Sequence, residues 1–256
     1  MNYTSKSQLA RISTESWIAN NGYCLACESD RIVATKANTE ARDFECSHCG
    51  HPYELKSSTK RFGKTLVDGA YDSMMRRLDS NTVASFLLLR HTPPVGVLDL
   101  LVIHRSLITY DVVRKRNALS STAKRAGWIG CNIWLGGIPS EGRIHLIQNS
   151  LPLPKERSRT IFQATDKLSS EPIASRNWSR VVLNCLHRLP RSGFTLNQVY
   201  SFEPEFSRLF PANHNVRAKI RQQLQVLRDV GILTFESRGE YQLNFADVKN
   251  EDYLHV

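Results

Sequence analysis

Apolar residues recur along the chain with two different periods, and each period predicts a different element. Across residues 42–56 the pattern is that of a strand, a turn and a second strand, in which Glu54 and Lys56 share one face while Tyr53 and Leu55 point the other way. Two short apolar runs, 83–89 and 97–103, predict buried strands. Helical spacing predicts a first helix over residues 7–19 and another over 65–79, where Leu66, Ala70, Met74 and Leu78 fall on one side. The order helix, strand, strand, helix, strand, strand implies a mixed sheet flanked by helices, an α+β fold.

The pattern breaks at residues 151–172. Prolines and charges open this stretch at 151–159, and Ser169-Ser170-Glu171-Pro172 closes it, which predicts a linker between domains at 1–170 and 171–256. Beyond it the spacing predicts a helix over 178–189, a turn at 190–193, and a short helix from Leu196 capped by Thr195. A third helix, over 216–230, buries Val216, Ile220, Leu224 and Leu227, and residues 232–243 then form a hairpin. Three helices followed by a hairpin describe a winged helix.

Composition points to a class of partner through charge alone. The 256 residues carry 34 basic and 24 acidic side chains, a net +10, and residues 1–170 hold 23 of the basic and 15 of the acidic ones. Such an excess suits nucleic acid, because neutralising phosphates releases condensed counterions. No run approaches the roughly 18 apolar residues of a membrane span. The first residues lack the apolar stretch of a secretory signal, so the expectation is a cytoplasmic protein that does not bind membranes.

Four of the six cysteines stand as Cys24-x2-Cys27 and Cys46-x2-Cys49, with 18 residues between the pairs. One tight turn per pair presents both sulfurs to a single ion, the spacing of a structural Zn2+ site; free thiols or two disulfides are the alternative. Four sulfurs fill the coordination shell, so the site stabilises and does not catalyse, and His48 and His51 are left as surface or outer-shell groups. Cys131 and Cys185 read as core.

Asp43 precedes the second knuckle, and a hairpin fixed by metal brings it opposite the Glu54 side. Asp43 and Glu54 then offer hard oxygens to catalytic Mg2+, and Lys56 attends the attacking water. Asp43-x10-Glu54-x-Lys56 is the pattern of PD-(D/E)xK nucleases, although Glu-x-Lys also occurs as plain surface pairing. The basic loop 57–64 follows, and Glu15 of the first helix is an accessory acid candidate. A zinc-ribbon and winged-helix regulator without catalysis shares every other feature; the Asp43, Glu54, Lys56 constellation separates the two readings.

Candidate DNA-reading residues fall in two places. Residues 111–128 carry Leu119, Lys124, Arg125 and Trp128 in a basic loop, and the Trp128 indole offers an apolar plane to a base methyl, unless it belongs to the core. Near the start of the third helix of the C-terminal half stand Asn213, His214, Asn215, Arg217, Arg221 and Gln222, a set suited to base edges or simply to solvent.

The chain closely resembles the DpnI family of restriction endonucleases. The resemblance is carried by the two knuckles, Asp43 with Glu54-Leu55-Lys56, Asp68-Gly69-Ala70-Tyr71, the run Thr122–Asn132 and the run Lys219–Gln225. It implies a monomeric type II (subtype IIM) enzyme that cuts double-stranded DNA at GATC containing methylated adenine. It also implies a PD-(D/E)xK restriction-endonuclease-like domain with a four-cysteine zinc site followed by a winged-helix domain, each reading the methylated site, with Trp128 sensing methyladenine. Residues 28–41 and the tail after Leu243 depart from the family pattern.

Overall fold

The structure, a computed structural model, describes residues 5–36 and 39–245, so most of the divergent tail after Leu243 lies outside the described residues. Its elements run α1 (Lys6–Asn21), β1 (Val33–Ala34), β2 (Phe44–Glu45), β3 (Pro52–Ser58), β4 (Thr65–Ala70), α2 (Tyr71–Asp79), β5 (Ser85–Thr92) and β6 (Gly96–Ile103). They continue with β7 (Val113–Lys115), β8 (Gly130–Trp134), β9 (Arg143–Gln148), β10 (Leu151–Pro152), α3 (Lys155–Asp166) and α4 (Ile173–Leu186). The last are β11 (Phe194–Thr195), α5 (Leu196–Tyr200), α6 (Glu203–Leu209), α7 (Val216–Asp229), β12 (Leu233–Ser237) and β13 (Glu240–Leu243).

Seven strands form one sheet in the order β1-β2-β3-β5-β6-β9-β10, mixed because β3 and β5 run parallel while their neighbours pair antiparallel. The runs expected at 83–89 and 97–103 are β5 and β6, its apolar centre. One face packs on α1 and α3 through Ile18, Tyr53, Leu87, Leu89, Val102 and Phe162, all buried. A smaller sheet, β4-β8-β7, packs with α2 against the other face.

Two expectations are corrected. The helix expected over 65–79 is strand β4 followed by the shorter helix α2. Leu66 and Asp68 alternate inward against outward Thr65 and Val67, and β8 supplies the ladder, so strand pairing overrides the helical spacing. Residues 151–172 are no linker: they contain α3, whose Ile161, Phe162, Ala164 and Thr165 are buried at helical spacing. Ser158 Oγ also donates to the His145 carbonyl at 3.2 Å, tying α3 to β9.

The C-terminal half is a winged helix built of α4, α5, α7 and the sheet β11-β13-β12. Thr195 caps α5 with a full capping box, exchanging hydrogen bonds with Gln198. The predicted stripe Val216, Ile220, Leu224 and Leu227 is buried, and Trp178 stacks on Phe210 at 3.8 Å between ring centroids. Helix α6 has no counterpart among the predicted elements, and α4 starts earlier than expected, at Ile173.

Helix α4 also serves the N-terminal half. Arg180 Nη1 and Asn184 Nδ2 donate to the Gly137 carbonyl at 2.6 and 2.8 Å, Arg180 pairs with Asp111, and His187 meets buried Glu141 at 2.9 Å. A single apolar core therefore runs from the small sheet through α4 into the winged helix. Among the described residues no helix is long and apolar enough to cross a membrane.

Candidate active site and nucleic-acid interface

The two knuckles meet. Cys24 and Cys49 sulfurs lie 3.6 Å apart, as do those of Cys27 and Cys46, and all four fall within 4.8 Å of one another. Disulfides need about 2.05 Å, so these are thiols. A tetrahedral Zn2+ at about 2.3 Å from each sulfur gives sulfur–sulfur edges of about 3.8 Å, so the donor set fits zinc in number, type and spacing. Gly50 takes φ +72° to close the second turn, and its N–H donates to the Cys46 carbonyl at 2.8 Å. Burial works against a Cys46 thiolate, but hydrogen bonds from the amides of Cys49 and His48 and from the Cys27 and Cys24 thiols together outweigh it and bring the thiol down to about 6. Cys131 and Cys185 are buried in the core, as expected. His48 is exposed, but His51 is not a surface group: it is buried against Phe162, with Nε2 3.1 Å from Ser85 Oγ.

Sequence reasoning missed the helix that secures the first knuckle. Arg159 of α3 donates from Nε to the Cys24 carbonyl and from Nη2 to the Ser29 carbonyl, both at 3.1 Å, and pairs with Glu28 and Asp30.

Beside the zinc site a cleft of about 670 Å³ opens between α1, the β3 edge and β4. Asp43, Glu54 and Lys56 all line it, as does Glu15, with Arg11, Thr14, Arg61 and Val67. Asp43 is held by the strand itself: its N–H donates to the Tyr53 carbonyl at 2.9 Å, and its Oδ2 accepts the Leu55 N–H at 2.8 Å. Glu15 pairs with Arg11 at 2.6 Å, one helical turn apart.

Lys56 Nζ donates to Glu54 Oε1 at 2.7 Å and to Asp68 Oδ1 at 2.8 Å. Arg77 of α2 stands behind, 3.6 Å from Glu54 and 3.7 Å from Asp68. Burial, and then the charge of Asp68, push the Glu54 carboxyl above its ordinary value, partly offset by Lys56. Burial disfavours the Lys56 ammonium, but Glu54 and Asp68 together hold its pKa above the usual lysine value. Glu54 Oε2 is buried with no hydrogen bond and faces Arg77 Nη1 at 3.6 Å. The Asp43 and Glu54 carboxylates on the cleft wall are hard oxygen donors of the kind that suits a divalent ion such as Mg2+. Asp68 stood in the sequence only as part of the run Asp68-Gly69-Ala70-Tyr71 and Arg77 carried no signal; their pairing with Glu54 and Lys56 joins three separate elements.

The proposed DNA-reading residues form two groups apart from the zinc site. In the β7–β8 connection, the Leu119 N–H meets the Trp128 carbonyl at 2.9 Å and the Gly127 N–H meets the Leu119 carbonyl at 3.0 Å, closing a loop whose rim carries exposed Lys124 and Arg125. Trp128 is half-buried, with the Arg125 guanidinium 4.7 Å over its ring. On the outer face of the small sheet Val67, Asn132 and Arg114 lie side by side in register, linking this loop to the cleft. At the start of α7, His214, Asn215, Arg217, Arg221 and Gln222 are exposed and Asn213 is half-buried. Arg217 pairs with Glu203 at 2.7 Å and Arg221 bonds the Tyr200 hydroxyl at 2.6 Å, which orients both guanidinium groups.

Comparison with known families gives two matches. The DpnI, Dam-replacing family matches residues 1–171. The Dam-replacing HTH domain, the C-terminal domain of that family, matches residues 174–243.

Proposed function

The chain belongs to the DpnI, Dam-replacing family and carries its helix-turn-helix domain, and from that premise we propose a Mg2+-dependent endonuclease that cuts both strands of GATC containing methylated adenine. The observation that carries the reading is that Asp43, Glu54 and Lys56 line one open cleft beside a basic reading surface. Domains 1–170 and 171–256 divide the work into cutting with reading, and reading alone.

Asp43 and Glu54 would hold Mg2+, which would polarise the scissile phosphate and lower the pKa of water. The remaining steps belong to the chain. Arg61 and Arg11 line the cleft as cations for the phosphate backbone. Lys56, held charged by its carboxylate neighbours, orients the attacking water and offsets charge on the phosphorane, so it acts as a cation and not as a base. Water adds to phosphorus and the ester bond breaks, leaving phosphate on one fragment and hydroxyl on the other. Trp128 and Leu119 present apolar surface to the adenine methyl, and Arg217, Arg221, Gln222 and the Asn213–Asn215 turn read base edges and phosphates from α7. The enzyme acts as a cytoplasmic monomer, with structural Zn2+ in the four-cysteine site.

The test is digestion, with Mg2+, of plasmid from adenine-methylating and non-methylating hosts by the wild type and by Lys56→Ala. Cleavage of methylated plasmid by the wild type alone is expected. Tight binding without cleavage by either protein assigns the chain to the regulator class instead.

A further inference from the structure

Behind the cleft, in contact with Lys56, stands a carboxylate that the hydrolytic scheme does not use. Asp68 sits on β4, directly opposite Cys131 of β8, at a β-bulge that shifts the register between Asp68 and Ala70. Its side chain is only 1% exposed, so it reaches neither DNA nor an ion at the cleft mouth. What it does reach is the Lys56 ammonium, at 2.8 Å, where it is the second carboxylate on that nitrogen beside Glu54. Strand alternation turns this carboxylate inward with Leu66, toward the lysine, and the bulge begins only after it.

A buried carboxylate is costly unless paired and hydrogen-bonded. Around Asp68 the pairing is complete in charge: Glu54 and Asp68 face Lys56 and Arg77, two negative against two positive. The Cys131 thiol, 3.9 Å from Asp68 Oδ2, is pushed up to about 12 by burial first and then by Asp68, so it stays neutral and leaves that balance alone. The quartet is balanced only while Glu54 shares the lysine. Once Glu54 turns its charge to a divalent cation, Asp68 is the partner left to Lys56.

We propose that Asp68 is the positioning residue of Lys56: it holds the ammonium aimed into the cleft when Glu54 is engaged by metal. The proposal rests on the reading of Lys56 as a catalytic cation. It predicts a division of labour between two acids of one cluster, in which Glu54 serves the metal and Asp68 serves the lysine.

Two readouts test this. The first is the split between kcat and KM for cleavage of a methylated duplex with Mg2+. Asp68→Asn is expected to lower kcat about 10-fold or more while KM stays near the wild-type value, because Lys56 is no longer aimed at the phosphorane, an interaction made only in the transition state. Asp68→Glu is expected to recover most of that loss. A kcat in Asp68→Asn that stays at the wild-type value, or a loss carried wholly by KM, overturns the proposal.

The second readout needs neither DNA nor metal. Asp68→Asn leaves one negative charge facing two positive ones, so the denaturant midpoint is expected to fall. On a Lys56→Met background the same change leaves Glu54 facing Arg77 alone, one against one, so the midpoint is expected to hold or rise. The same fall on both backgrounds overturns the proposal. Asp68→Ser replaces Asp68→Asn if thermal melting shows that the latter does not fold. If the wild type cuts nothing while the midpoints still depend on Lys56, the nuclease reading has failed and the clamp stands. If the wild type cuts, Lys56→Ala does not, and the effect of Asp68→Asn is the same with and without Lys56, the clamp alone has failed.

Discussion

The Tyr53 hydroxyl lies 3.5 Å from the Cys24 sulfur, so the residue immediately before Glu54 touches the zinc site. The same hydroxyl accepts the Leu25 N–H at 3.0 Å, and the ring is fully buried beside His51. Metal site and candidate catalytic strand are thus joined through one phenol, and whatever fixes the first knuckle also fixes β3.

Tyr53→Phe keeps the ring packing and removes only this joint. It leaves the buried Leu25 N–H without its acceptor, which costs about 1–3 kcal/mol. The expected result is a lower midpoint in denaturant with the slope unchanged, and faster zinc loss to a chelator. Plasmid cleavage should decline in step with zinc content, and a variant that loses zinc no faster than the wild type removes the proposed coupling.

Arg159 tests the knuckle from its other side. Its planar fork reaches two backbone carbonyls at once, a geometry that a lysine ammonium does not reproduce. Arg159→Lys and Arg159→Met are therefore both expected to hold zinc roughly 10-fold or more weakly than the wild type, the size of loss seen when outer-shell partners are removed. Chelator competition followed by absorbance measures it, and retention of wild-type zinc affinity in Arg159→Lys argues against the fork.

The fold's acid sensitivity follows from buried imidazoles, His51, His104 and His145, all depressed chiefly by burial. Burial lowers His104 to about 3 and His145 to about 4, far below the usual 6.5. The unfolded chain therefore takes up these protons first as pH falls, so the stability they protect is whole above about 6.5 and drains away down to about 3–4. Each contributes a slope of up to about 1.4 kcal/mol per pH unit within that window. His104→Gln, which cannot titrate, is expected to flatten the fall in denaturant midpoint between pH 6 and pH 4; an equally steep fall places the acid-labile group elsewhere.

What the sequence made legible was local. The four cysteines, and Asp43, Glu54 and Lys56, lie within one hairpin and its neighbouring turn, so spacing alone brings them close. The stripe of α7 was legible for the same reason, since helical period acts over a few turns. Long-range pairing was hidden. Leu66, Met74 and Leu78 all reach one core, but the first does so from a strand, and only the β8 ladder explains why. The prolines at 152 and 154 suggested a linker, although Pro154 merely precedes α3, whose buried face comes later in the segment. Asp68 and Arg77 gain meaning only once β3, β4 and α2 are packed together.

Gly130 supplies a test of methyl recognition that leaves the catalytic residues untouched. A Cβ at this position would lie 2.8 Å from the Trp128 ring, too close for the indole to stay where it is. The Gly130 carbonyl accepts the Arg116 N–H at 2.9 Å, so the backbone here is fixed and the ring must be the part that moves. Gly130→Ala should therefore tilt Trp128 away from Gly130 and weaken its contact with a base methyl. One buried methyl is worth about 0.8 kcal/mol, or roughly a four-fold preference, and a fully methylated site presents two. The expected outcome is a loss of several-fold in the ratio of cleavage rates on methylated and unmethylated plasmid, shared by Trp128→Ala, with the thermal midpoint little changed in Gly130→Ala. If both variants keep the wild-type ratio, methyl discrimination resides in the winged helix, and the β7–β8 loop serves only to hold the DNA backbone.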